Sequence, residues 1–300
     1  MTAVRWAVRE AAEGRPGPLA RAVDQVRVMD PVLLILRLTL LVLLVNTNDD
    51  PPLFVATAVL CAVALPGRRL VRSPWLWAAL FVVVGARQVA TWHTIDDHVI
   101  VTTYWCGAVA LALGARDRLG TLARSACLLV GTLFAFAAGW KLLSGQFVDG
   151  TFFRYSLLFD SRFEVLSDVV GGTADHVRQA GVASVTGLLA GGGPGPVLLQ
   201  EGTRASALAQ VLTWWGLVLE VAIAAAFLLP LPQRWHWSRH ASLAAFASTT
   251  YAVVPVGGFG SLLLVLGAAQ TRTARGRLAY AAGVAATLAW SGLWPIFFLR

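Results

Sequence analysis

The sequence predicts an all-α polytopic membrane protein with about seven to nine transmembrane helices. Of its 300 residues, 57% are hydrophobic and 13% are charged, and the mean hydropathy is +0.67. Soluble domains usually carry about 25% charged residues, so this chain lacks the polar side chains that cover a soluble surface. Its arginines also gather in the connections between apolar runs, as they do beside membrane helices.

The candidate spans follow one another along the chain, and most approach the roughly 20 apolar residues that cross a bilayer. They are residues 31–46, 51–66, 74–92, 98–114, 121–143, 206–231, 241–269 and 278–298. The seventh contains PVGGFG at 255–260, and a proline with three glycines interrupts a helix. We expect a broken or re-entrant pair of short helices there. A single long helix that crosses once is the alternative.

Arginine divides the connections into two classes and so predicts an orientation. The connections 46–50 and 93–97 contain two aspartates each and no arginine. The arginine-bearing class is 1–30, 67–73, 115–124, 232–240 and 270–277. The positive-inside rule places this class in the cytoplasm. Residues 1–30 are then a cytoplasmic segment, and residues 31–300 form a domain in the plasma membrane. The insert 144–205 lies outside, with amphipathic helices on the membrane surface.

The charge, the cysteines and the histidines do not indicate a nucleic-acid-binding or metal-binding protein. The net charge of +8 suits anionic lipid headgroups beside membrane spans and does not indicate nucleic-acid binding. The three cysteines lie in apolar stretches without CxxC spacing, which is typical of packed side chains. His93 and His98 are five residues apart and fall on different helix faces. We therefore predict no metal site.

Lys141, in the run FAFAAGWKLLSG (134–145), is the only lysine among the 24 basic side chains. A structural anchor at the outer membrane boundary is one explanation. Arginine, used everywhere else in the chain, would serve as an anchor equally well. Lysine differs because burial can lower its pKa enough for the amine to act as a base. The alternative hypothesis is therefore that Lys141 takes part in chemistry.

Three further ionisable side chains lie inside predicted spans: Arg37 in the first, Arg87 in the third and Glu220 in the sixth. Charged groups in a membrane are costly and mark functional sites by default. Pairing of Arg37 with Glu220, or snorkelling of either arginine, is an equally good explanation. His98 begins the fourth span on the outer side. Arg37 and Arg87 are the candidate cofactor-binding residues.

Four stretches, taken in order, resemble the HTTM family, membrane domains similar to the transmembrane part of vitamin K-dependent gamma-carboxylase. They are PVLLILRLTLLVLL, DDHVIVTTYWCGAVALAL, FAAGWKLLSGQFVDG, and LEVAIAAAFLLPLPQRW with the glycine-broken segment after it. The resemblance implies that Lys141 deprotonates a reduced quinone, that His98 assists, and that Glu220 is the family's membrane glutamate. Two departures are the absence of a large extracytoplasmic domain and Phe147 in place of an aromatic-tryptophan stretch.

The first functional hypothesis is a membrane-embedded enzyme or maturation factor that acts at the outer face. The resemblance extends to bacterial proteins needed to mature a sporulation-delaying type of toxin peptide, so a secreted peptide is the expected substrate. A reduced quinone is the expected cofactor, and an accessory membrane or secreted protein is an expected partner. The alternatives are a transporter or immunity-type protein without chemistry, and a structural partner subunit. A transport path needs polar groups through the full membrane thickness.

Overall fold

The computed structural model is all-α, as the sequence predicts. It describes residues 17, 24, 26–45, 51–90, 97–190, 202–253 and 257–298, and no strand occurs among them. Two of the described helices are long and apolar enough to cross a membrane, Arg118–Leu143 and Thr203–Leu228. Several further helices contain apolar stretches of 10 to 17 residues.

The described helices follow the predicted spans closely. In chain order they are α1 (Pro31–Val45), α2 (Pro51–Ala64), α3 (Arg68–Val71), α4 (Pro74–Ala90), α5 (Asp97–Gly114), α6 (Arg118–Leu143), α7 (Gly145–Val148), α8 (Thr151–Phe159), α9 (Glu164–Leu166), α10 (Asp175–Leu189), α11 (Thr203–Leu228), α12 (Trp237–Val253), α13 (Gly257–Gln270) and α14 (Ala274–Phe298). Each predicted span corresponds to one helix or one helix pair, with ends that differ by a few residues. The hydropathy of the sequence locates the helices of these spans well because each one coincides with a continuous apolar run.

The segment expected to be broken contains two helices. Helix α12 ends at Val253, and α13 begins at Gly257. The glycines of PVGGFG stand in the first turn of α13 and do not separate the helices. A helix terminus tolerates them because its first N–H groups have no partner within the helix. Pro255 lies outside the described residues.

Contacts divide the chain into two compact units. The first unit contains Met1–Cys127 and Gly258–Leu288, and the second contains Leu128–Gly257 and Ala289–Arg300. The division falls within α6 and again within α14, so each of these helices contributes to both units.

The core of the first unit joins α1 and α5 through buried tryptophan. The Nε1 of Trp105 donates a hydrogen bond to Thr39 Oγ1 at 3.0 Å. Thr39 in turn donates to the carbonyl of Ile35 in its own helix at 2.9 Å. A buried indole N–H needs such a partner because an unmet donor is costly in an apolar core.

Helices α6 and α11 approach each other closely in the second unit. At Gly131 an added Cβ would meet Leu228 Cδ2 at 2.6 Å, so the Leu228 side chain would have to shift to admit a larger residue. Near the same end, Phe134 packs edge-on against Phe246 of α12, with ring centroids 4.9 Å apart. Arg239 of α12 donates its Nε to the carbonyl of Ala226 at 2.8 Å, in the last turn of α11.

The described part of the predicted insert, residues 145–190, is mostly helical, and its chain turns at two left-handed glycines, Gly150 and Gly172. Its apolar face contacts protein: Leu157 and Phe163 pack with Ala209 of α11. One face of these helices is therefore buried against α11, and their position at the membrane surface stays a prediction. The glycine-rich run after residue 190 lies outside the described residues.

Candidate functional site

Lys141 and Glu220 form an ion pair within the second unit. Lys141 stands in the last turn of α6 and Glu220 in the second half of α11, 79 residues further along the chain. The ammonium Nζ donates to Glu220 Oε1. The Glu220 side chain is 8% exposed and the Lys141 side chain 29%. The two charges are thus largely removed from solvent. Loss of one partner would leave the other as an unpaired buried charge, which destabilises a protein strongly.

The end of α6 places Lys141 beside α11. The N–H of Ser144 donates to the carbonyls of Trp140 and Lys141, at 3.0 and 3.2 Å, and the short helix α7 follows. The chain then turns at Gly150, whose φ of +85° is a left-handed conformation that favours glycine. Gln210 Nε2 donates to the carbonyl of Val148 at 3.4 Å and ties this turn to α11.

The carboxylate of Asp149, two residues before α8, stabilises the same turn. Asp149 Oδ1 accepts a hydrogen bond from the N–H of Thr151 at 2.8 Å. This bond satisfies one of the free donors at the helix start. It also lowers the pKa of the exposed Asp149 carboxyl, because it favours the charged form.

The ring of Phe147 forms a second contact with the Lys141 ammonium. The Nζ atom lies over this ring, 4.9 Å from its centroid. Phe147 is 5% exposed and packs with Ala138 of α6 and Leu217 of α11. A desolvated aromatic face attracts a cation more strongly than an exposed one. The ammonium is therefore held from two directions, by a carboxylate and by a ring.

The second oxygen of Glu220 has no hydrogen-bond partner among the described residues. Oε2 is buried and accepts no hydrogen bond from any residue that the structure describes. Buried acceptors are nearly always satisfied, and an unmet one invites an explanation. Glu220 Oε2 is consequently the acceptor at this site that can receive a proton or a donor group from a bound molecule.

The pair can move a proton along its own hydrogen bond. An ammonium has three donors and no lone pair, so paired Lys141 is not a base in its charged state. Transfer of one proton from Nζ to Glu220 Oε1 produces a neutral amine and a neutral carboxylic acid. In an apolar environment the loss of two charges offsets much of the cost of that transfer.

The other residues predicted from sequence lie in the first unit. His98 is in the first turn of α5, as expected, but its side chain lies outside the described part of the chain. Arg37 and Arg87 are half-buried in α1 and α4. Arg37 Nε is buried and donates to no described residue. Within the second unit, the ion-pair partner of Glu220 is Lys141.

Sequence reasoning missed the role of Phe147, which it noted only as a departure from a family pattern. The single available signal was its position six residues after the only lysine. In the described part of the chain, no three His, Cys, Asp or Glu side chains gather as metal ligands would. Comparison with family models, with curated proteins and with solved structures found no match.

Proposed function

We propose that this chain is a polytopic plasma-membrane protein of the carboxylase-like HTTM type that matures a secreted peptide at the outer face. The observation that carries the proposal is the largely buried pair of Lys141 and Glu220, in which one carboxylate oxygen has no partner in the described part of the chain. Proton abstraction is the chemistry that this arrangement suits best. Lys141 passes a proton to Glu220, and its neutral amine is then the base that takes the substrate's proton, which leaves an ammonium beside a neutral carboxylic acid.

The surfaces of the two long helices support a membrane setting. In their most apolar stretches, only 28% of the α6 residues and 39% of the α11 residues are buried in protein. A long apolar core helix of a soluble protein would be mostly covered. The exposed side chains include Leu128, Phe136, Val211 and Val218. Such an apolar surface is stable against lipid and not against water.

Exposed tryptophans at helix ends also support this setting. Trp75 stands in the first turn of α4, and Trp140 is near the end of α6. Trp235 and Trp237 stack at 6.3 Å before and at the start of α12. Tryptophan favours the membrane–water interface, where its ring can be apolar while its N–H remains hydrated. The arginine distribution then orients the protein with its N-terminus inside and Lys141 near the outer face.

The residues beside the pair fit a reduced quinone, the cofactor that the family resemblance implies. Phe152, which is exposed, offers an aromatic ring, and Glu220 Oε2 is a buried acceptor without a hydrogen-bond partner among the described residues. When bound, such a molecule would supply an acidic hydroxyl and reducing equivalents. The chain's own residues orient that hydroxyl and hold its proton. Arg37, Arg87 and His98 remain proposed functional residues of the first unit.

A transport function without chemistry is the second candidate, favoured by one observation. Arg37 lies midway along α1 with a buried Nε that donates to no described residue. Charges at several depths are what a transport path uses. Accumulation of a solute by vesicles that contain the purified protein would establish transport.

The enzyme proposal is tested by mass spectrometry of secreted peptides from the native host. Wild-type and deletion strains are compared, together with a deletion strain that carries the gene on a plasmid. We expect one secreted peptide to change in mass or to disappear in the deletion and to return on complementation. Identical peptide profiles in all three strains would contradict the proposal.

A further inference from the structure

Phe147 connects the insert to the ion pair. It belongs to α7, the first helix after the end of α6, and packs with Ala138 and Leu217 of the two long helices. On its other side it meets Phe152 and Phe153 of α8, with ring centroids 5.6 and 5.7 Å away. The position of this ring is therefore set jointly by α6, α11 and the insert.

The ring of Phe147 faces the flexible side chain of Lys141. A lysine has four rotatable bonds, and its compact ammonium readily swings toward water. Lys141 is 29% exposed, so solvent is within reach of its ammonium. Glu220 Oε1 supplies one attraction, and the face of Phe147 supplies another, 4.9 Å from Nζ to the ring centroid. An aliphatic side chain of similar volume would fill the same space without attracting a cation.

We infer that Phe147 is a positioning residue, which holds the Lys141 ammonium against Glu220 and thereby keeps the amine from solvent. Two contacts from different directions define the place of Nζ, whereas Glu220 alone leaves the ammonium free to rotate outward. Because Phe147 also packs on α8, a change in the fold of the insert reaches Lys141 through this ring. The catalytic meaning of the contact rests on the proposed function, but the contact itself can be tested separately.

The single lysine makes a direct test possible. Reductive methylation of the full-length protein in detergent with isotope-labelled formaldehyde places two methyl groups on Lys141. The only other amine of the chain, at its N-terminus, titrates separately and can be assigned. Methyl protons over an aromatic face resonate upfield of those on free dimethyl-lysine. We expect this upfield shift in the wild type, in Phe147→Tyr and in the matched control Phe163→Leu, and its loss in Phe147→Leu.

Phe163 is a suitable control because it belongs to the same aromatic cluster. Its ring centroid lies 6.1 Å from that of Phe153, and it is buried like Phe147. Wild-type methyl resonances at the position of free dimethyl-lysine would overturn the inference, even if Phe147→Leu does not fold. An upfield shift that persists in Phe147→Leu would overturn it as well.

Positioning is tested by the reactivity of the unmodified amine. The rate at which an acylating reagent labels Lys141 at fixed pH should rise about 5-fold in Phe147→Leu, which corresponds to about 1 kcal/mol of cation–π attraction. Phe147→Tyr and Phe163→Leu should label at the wild-type rate. An unchanged rate in Phe147→Leu would show that the ring does not position the amine. Neither measurement depends on a peptide substrate, so failure here is distinct from failure of the proposed function.

Discussion

Removal of the Lys141 charge should lower the free energy of unfolding more than removal of the Glu220 charge. Lys141→Met leaves a carboxylate that is 8% exposed without its cation, whereas Glu220→Gln leaves an ammonium that is 29% exposed and can reach solvent. Breaking a buried pair costs about 3–5 kcal/mol, and a hydrogen bond to a charged group contributes about 1.5–3 kcal/mol. We therefore expect Lys141→Met to lower the free energy of unfolding by about 3 kcal/mol. Glu220→Gln keeps a neutral acceptor and should lower it by about 1.5 kcal/mol.

The double variant separates pairing from local packing. With both charges gone, neither residue leaves an unmatched ion, so the combined loss should be about 2 kcal/mol smaller than the sum of the single losses. Unfolding by SDS in mixed micelles, followed by circular dichroism, measures all four proteins. Leu142→Met, at an exposed neighbour in α6, is the control for Lys141→Met. Strictly additive losses, or a larger loss for Glu220→Gln than for Lys141→Met, would refute the reasoning.

Two other substitutions in the second unit test a close helix contact and a hydrogen-bonded carboxylate. Gly131→Ala should lower the free energy of unfolding by about 1–3 kcal/mol, because its Cβ would lie 2.6 Å from Leu228 Cδ2. The control Gly139→Ala, with nothing within 4 Å, should not lower it. Partial burial acts to raise the pKa of Asp160, but hydrogen bonds from the side chain and backbone N–H of Arg162 outweigh it and lower the pKa. The stabilisation from the Asp160 carboxylate is present above its unfolded pKa of about 4 and is lost as pH falls through the lower folded pKa. Melting temperatures of wild type and Asp160→Asn should therefore differ at about pH 6 and converge once the pH has fallen below that folded pKa.

The helices could be predicted from the sequence because membrane-type apolar runs are long and continuous. The run that ends at Lys141 was expected over residues 121–143, and α6 covers Arg118–Leu143. The break near PVGGFG was also expected, although the glycines proved to begin α13. A terminal turn tolerates glycine, and a hydropathy pattern does not show which side of a break such residues join.

The sequence identifies the two members of the ion pair, but it does not show their arrangement. Lys141 and Glu220 attracted attention as isolated charges in apolar helices. Their pairing across 79 residues depends on how α6 packs on α11, and Arg37 was an equally good partner on the sequence alone. Phe147 gave no signal of its own, because one more phenylalanine in an apolar chain indicates nothing about the cation above its ring.

The most direct test of the central claim is the secreted-peptide profile of a Lys141→Arg strain at matched membrane levels. Arginine can keep the ion pair with Glu220 and the contact with an aromatic face, but its guanidinium does not release a proton near neutral pH. If Lys141 acts as a base, the Lys141→Arg profile should match that of the deletion strain. A wild-type profile in this strain would show that a fixed positive charge is sufficient, and the proton-transfer role of Lys141 would be wrong.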